Sequence, residues 1–100
     1  MRRLMRKGDR VHVKKDFQYR QHHYIVGEIF EIVHFSETYN DVHVQCIDKN
    51  KQVTLGIVFT YFKNQRIVRL TDDMNPDYVW DYFWSDQEAR NIKLNNLKKS

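Results

Sequence analysis

With three glycines and one proline among 100 residues, the chain lacks the material for a glycine-rich phosphate loop, a collagen-like repeat or a flexible interdomain linker. A single cysteine, Cys46, excludes any internal disulfide. It is expected as a small hydrophobe facing a core, because a reactive thiol needs basic neighbours and exposure. No HxH, HExxH or CxxC spacing occurs. The five histidines, His12, His22, His23, His34 and His43, are scattered, whereas a structural zinc site wants about four convergent ligands. Neither a metal nor a cofactor is expected. No apolar run approaches the roughly 20 residues that span a bilayer. The N-terminus is basic but has no apolar stretch of the signal-peptide kind. A cytoplasmic protein with no membrane partner is therefore expected.

What the chain does have is aromatic surface and unevenly placed charge. One hundred residues support one domain with a thin core, and 14 aromatic side chains thicken it. The net charge is +4, but residues 1–20 carry eight bases against two acids. Residues 21–70 are neutral, residues 71–90 carry six acids against one base, and the last ten residues add three lysines. Such asymmetry points to a polyanionic or acidic partner for the basic third.

Hydrophobic periodicity predicts short strands. Met1 to Lys7 is a basic arm and Gly8-Asp9 a turn signal. Arg10 to Lys14 alternates with Val11 and Val13 inward, and Lys15 to His23 reads as a long polar loop carrying Phe17 and Tyr19. Tyr24 to Phe35 is a β-branched segment in which Gly27 marks a bulge or tight bend, and the spacing of Ile29 and Ile32 suits a coiled strand. Glu37 to Asp41 is a turn. Val42, Val44 and Cys46 face inward on the next strand, and Val53, Leu55 and Ile57 on its return after a loop at Asp48 to Lys51. A tight turn over Phe59–Phe62 and a last strand over Arg66–Leu70 complete the set.

Five strands with no helix between them are expected to close into a small barrel. The segments Lys7-Gly8-Asp9-Arg10-Val11-His12-Val13 and Val26-Gly27-Glu28-Ile29-Phe30-Glu31-Ile32-Val33 carry the pattern GD-x-V-x-V, a loop, then G-x-I-x-x-I. This resembles SH3-like barrels of the KOW-related bacterial and phage type over roughly residues 7–71. The resemblance implies a mainly β, five-stranded SH3-like barrel with a long first loop and a one-turn 3₁₀ helix before the last strand. Gln21 or His22 stands where a KOW motif has a second glycine, so the ribosome- and polymerase-type activities are not implied. The expected organisation is an arm over 1–7, a barrel over 8–71, and an aromatic, acidic, helical tail over 72–100.

In that tail, Asn75 as N-cap and Pro76 at N1 predict a helix start, with Asp72, Asp73 and Asp77 suiting its dipole. Tyr78/Tyr82, Val79/Phe83 and Trp80/Trp84 are four apart, so a helix there is apolar all round and must be buried. Ser85-Asp86-Gln87-Glu88 matches a capping box and predicts a second helix toward Leu97.

Two groups of residues emerge as candidate binding sites. Arg2, Arg3, Arg6, Lys7, Arg10, Lys14, Lys15 and Arg20, interleaved with Phe17, Tyr19, His22 and His23, suit nucleic acid: clustered bases release phosphate counterions and exposed rings stack on bases. Tyr78, Trp80, Tyr82, Phe83 and Trp84 suit packing on the barrel or anchoring a protein partner or second copy. The acidic block beside them could fold against the basic arm. Catalysis finds no set: Cys46 and Ser36 have no His or Asp at relay spacing, and Glu28 with Glu31 needs a cleft that a filled small barrel lacks. The expected function is a non-enzymatic, nucleic-acid-associated binding protein modulating a larger machine, with a protein-binding adaptor or inhibitor as the alternative.

Overall fold

The computed structural model describes residues 5–54, 56–62 and 74–99, without the side chains of 74–76 and 94–99. Among the described residues, eight strands and two helices run in the order β1 (Arg10–Val13), β2 (Phe17–Tyr19), β3 (His22–Tyr24), β4 (Ile29–Ser36), β5 (Asp41–Cys46), β6 (Ile57–Thr60), β7 (Met74–Tyr78), α1 (Val79–Tyr82), β8 (Phe83–Ser85) and α2 (Asp86–Lys99). The protein is mainly β, a curled half-barrel sheet with a C-terminal helix. Six strands form that sheet in the order β7-β6-β5-β4-β1-β8, and β2 with β3 forms a separate hairpin.

The curl follows from connectivity. β7 and β8 are the two edges of the sheet, yet only the four residues of α1 separate them in sequence. One helical turn advances about 6 Å, so the edges must approach each other across the sheet's whole width. β8 pairs antiparallel with β1 (Val11↔Ser85, His12↔Trp84, Val13↔Phe83), and β1 pairs on its other side with β4 (Arg10↔Glu31, His12↔Ile29). Every neighbour pair is antiparallel except β6 with β7, which run parallel.

The alternation read from β1 and β5 holds: Val11, Val13, Val42, Val44 and Cys46 are all buried. On β4 the alternation breaks. Phe30 and Ile32 face inward, then the register shifts between Ile32 and His34, leaving Val33 as the extra residue and turning Phe35 toward the core. A bulge of this kind sharpens local twist and helps curl the sheet. Gly27 does mark a tight bend, at a φ of +99° just before β4, which splits the predicted Tyr24–Phe35 strand. At Gly56 an added Cβ would stand 2.9 Å from the Val44 carbonyl oxygen, and φ is +76°, so only glycine fits where β6 approaches β5.

Three expectations need correction. The loop over Lys15–His23 is largely the β2–β3 hairpin, with Phe17 opposite Tyr24 and Tyr19 opposite His22. Phe59 and Thr60 belong to β6 rather than to a tight turn. No helix begins at Asn75-Pro76: Met74–Tyr78 is an edge strand, where a proline's missing N–H is tolerated, and the aromatic run makes a strand, a single helical turn and a strand. The strand expected over 66–70 and the inward Leu55 lie outside the described residues. The capping box is present in both directions: Glu88 N–H donates to Ser85 Oγ and Ser85 N–H donates to Glu88 Oε1, each at 3.1 Å, and α2 starts there.

The core is aromatic at its centre. Phe17 lies 5.1 Å from Tyr24, 5.3 Å from Tyr82 and 5.9 Å from Phe83, ring centre to ring centre, and Phe83 lies 5.1 Å from Phe30 and 5.3 Å from Phe59. Phe83 is 1% exposed. Because Met74–Ser85 supplies both outer strands and this ring, a chain ending at residue 73 is expected not to fold. Circular dichroism would show it, and a cooperative thermal transition in the 1–73 fragment would refute the dependence. In the full chain, Phe83→Ala is expected to lower the unfolding free energy in urea by about 3–5 kcal/mol.

Candidate nucleic-acid interface

The structure describes ten of the twelve predicted nucleic-acid residues and divides them into three groups. Arg2 and Arg3 lie outside the described residues. Arg6, Lys7 and Arg10 are exposed at the start of β1, on a turn held by the Arg6 N–H to Asp9 carboxylate bond of 3.0 Å and the Gly8 N–H to Ile32 carbonyl bond of 2.7 Å. Lys14 and Lys15 follow the other end of β1, about 13 Å away at strand rise. Both reach toward the aromatic run: Lys14 Nζ donates to the Trp80 carbonyl at 2.8 Å, and Lys15 Nζ stands 4.4 Å over the Tyr82 ring.

The hairpin holds the third group, and its pleat sorts them. Phe17, Tyr19, His22 and Tyr24 share one face, while Gln18 and His23 share the other. Phe17 and Tyr19 pack against the core cluster and Tyr24 is fully buried, so the inner face anchors the hairpin to the curled sheet. His23 is exposed on the outer face. Arg20 is exposed at the tip with a φ of +57°, its guanidinium 5.6 Å from the Tyr19 ring centre.

Lys51 was not among the predicted residues and joins this group. Its Nζ donates to Glu28 Oε1 at 2.6 Å and to the His23 carbonyl at 3.3 Å, and its own carbonyl accepts the Tyr24 hydroxyl at 2.7 Å. The Glu28 carboxylate raises the lysine's pKa, so its charge is secure. Burial, with smaller pushes from Cys46 and Glu28, holds Tyr24 neutral up to about pH 12. Nothing in the sequence marks Lys51 for this place, because the loop after β5 meets the hairpin only through the fold.

The predicted partner residues are mostly internal. Trp80 and Phe83 are buried, and Tyr78 and Tyr82 pack against the core. Tyr82 donates its hydroxyl to the Asp77 carboxylate, which, ahead of burial, lifts its pKa to about 12. Trp84, half-buried on β8, lies opposite His12. Asp86 Oδ1 bonds His12 Nε2 on β1 at 2.9 Å and its Oδ2 pairs with Arg90 at 3.0 Å, and the His12 bond, with Arg90 and Arg10 behind it, lowers the carboxyl's pKa.

Elsewhere, His34 and His43 face each other across β4 and β5 at 4.9 Å, with Asp41 Oδ2 3.8 Å from His43 Nε2. Among the described residues, no three His, Cys, Asp or Glu side chains are placed to hold a metal ion. Burial pushes the Cys46 thiol up and keeps it unreactive. No helix among the described residues is long and apolar enough to cross a membrane. Compared with models of protein families, with curated proteins and with solved structures, the chain matches none.

His43 gives the fold a pH dependence. Burial lowers its pKa from 6.5, and the nearby His34 adds to this against the opposing pull of Asp41. Below that value the unfolded chain takes up a proton that the native histidine resists, so its contribution to stability is complete above pH 6.5 and declines as pH falls through the window beneath. Urea unfolding at pH 7.5 and 5.5 is expected to show a smaller stability loss in His43→Gln than in the unaltered chain. Equal losses in both proteins would rule His43 out.

Proposed function

We propose that the chain is a non-enzymatic binding module of SH3-like barrel type that holds nucleic acid through its phosphates and serves a larger nucleic-acid machine. Support for the barrel type comes from the strand sequence: a hairpin after β1, the neighbours β8-β1-β4-β5-β6, and a one-turn helix before the strand that pairs with β1. β7 is an addition to that plan.

The observation that carries the nucleic-acid reading is the exposure of Arg6, Lys7, Arg10, Lys15, Arg20 and His23 along one 18-residue stretch, on β1 and a hairpin anchored by aromatic rings. The bases at the two ends of β1 stand about 13 Å apart at strand rise, close to four times the roughly 3.4 Å axial rise per phosphate of one duplex strand. Such contacts position a protein without reading sequence. The alternative, protein capture by the aromatic run, has weaker support, since Trp80 and Phe83 spend their rings on the core.

Affinity for random-sequence DNA or RNA is expected to fall steeply as salt rises from about 50 to about 200 mM. Arg10→Ala and Arg20→Ala should each reduce the slope of log affinity against log salt by about 1. Fluorescence anisotropy measures both, and an absence of binding at about 50 mM salt defeats the reading.

A further inference from the structure

Of the two helices among the described residues, α2 is the longer, and it adds nothing to the core. Of its described side chains, Asp86 to Lys93, none is buried. It packs against β8 and β1, and its first turn holds it there: the capping box joins Ser85 to Glu88, and the Asp86 carboxylate bonds His12 on β1. Asp86, Ala89 and Ile92, three apart, are half-buried and mark the side toward the sheet. Gln87 and Asn91, four apart on the other side, are exposed.

Asn95 and Lys98 follow Asn91 at i+4 and i+7, so the positions of Gln87, Asn91, Asn95 and Lys98 form one stripe along the helix. Asparagine disfavours a helix interior, because its amide competes for backbone hydrogen bonds. α2 nevertheless contains three, Asn91, Asn95 and Asn96. The exposed Asn91 makes no side-chain hydrogen bond among the described residues, so the fold gives no reason for an amide there.

Charge changes sign along the helix. Its two acids lie in the first turn and are engaged, Glu88 with the Ser85 N–H and Asp86 with His12 and Arg90. From Ala89 to Ser100 the chain has Arg90, Lys93, Lys98 and Lys99 and no acid. Arg90 stays 72% exposed beside Asp86, and Lys93 is exposed with no acidic partner among the described residues.

A helix with a basic half and a stripe of carboxamides fits a ligand with negative rims and hydrogen-bonding edges between them. The major groove of duplex DNA has that form. It is about 12 Å wide and admits a helix about 10–12 Å across, and α2 is about 20 Å long at helical rise. Asparagine and glutamine form paired bonds with adenine, and lysine bonds guanine. Double-stranded RNA, whose major groove is deep and narrow, offers no such place. The His12–Asp86 bond also joins the start of α2 to the strand that carries the exposed Arg10.

We propose that α2 lies in the major groove of duplex DNA, where Gln87, Asn91, Asn95 and Lys98 read base edges while Arg90, Lys93 and Lys99 hold the flanking phosphates. The inference rests on the nucleic-acid reading above and adds a preference for adenine-containing sites, which phosphate contacts alone do not give.

The test uses the full chain to select from DNA duplexes with a randomised centre. The unaltered chain should enrich a short adenine-containing site and, by fluorescence anisotropy, bind it at least about tenfold more tightly than a scrambled duplex. The double variant Asn91→Ala, Asn95→Ala keeps α2, since alanine is the better helix former, and circular dichroism checks this. It should lose most of that preference while its affinity for the scrambled duplex stays within about twofold. An undiminished preference in the variant overturns the role of α2. Salt-dependent binding with no enriched site, or equal affinity for the matching RNA duplex, also overturns it and leaves the phosphate contacts standing. No binding to any nucleic acid overturns both readings.

Discussion

Much of this structure depends on how little chain joins the two edges of the sheet. β7 and β8 lie five strands apart in the sheet and four residues apart in sequence. A flat sheet of six strands would hold its edges roughly 24 Å apart at the usual strand spacing, far beyond the reach of one helical turn. Curling is therefore enforced covalently, and the bulge at Val33 lets β4 bend accordingly. The curled sheet gives Phe17, Phe30, Phe59, Tyr82 and Phe83 a shared interior in which each ring meets others at tilted or edge-on angles, a geometry aromatic quadrupoles favour.

That interior decides which side chains remain for a partner. The hairpin turns Phe17 and Tyr24 inward, and in doing so it turns His23 outward and lifts Arg20 to its tip. The aromatic run supplies β1 with a partner strand and occupies Lys14 and Lys15 from the side, at the Trp80 carbonyl and the Tyr82 ring. Charge and packing are thus tied together: the bases around β1 are held in place by the same segment that closes the core.

Where local pattern and tertiary demand agree, residues could be placed from the sequence alone. Val11, Val13, Val42, Val44 and Cys46 alternate at the strand period and are buried, and Ser85 with Glu88 caps a helix by purely local bonds. The opposed directions of His22 and His23 also follow from the pleat. Misplaced residues are those where distant partners outweigh local preference. Asn75-Pro76 carries every local mark of a helix start, yet pairing along β6 makes it an edge strand. The hairpin has Arg20-Gln21 at its tip in place of the usual Asn-Gly, so only the burial of Phe17 and Tyr24 reveals it. Of the candidate binding residues, the basic cluster was visible as composition. Lys51, a candidate only, was not, since its place beside the hairpin comes from contacts across the fold.

The pairing of β1 with β8 also sets a schedule for synthesis. Val11 and Ser85, partners in the ladder, are made 74 residues apart, and ribosomes add roughly 5–20 residues per second. The first strand therefore leaves the ribosome about 4–15 s before its second neighbour exists. Once β4 is made, Val11 and Val13 have it on one side and an open edge on the other until β8 follows. The arm ahead of them, with Arg6 and Lys7 before Arg10, is charged in the way that discourages edge-to-edge association.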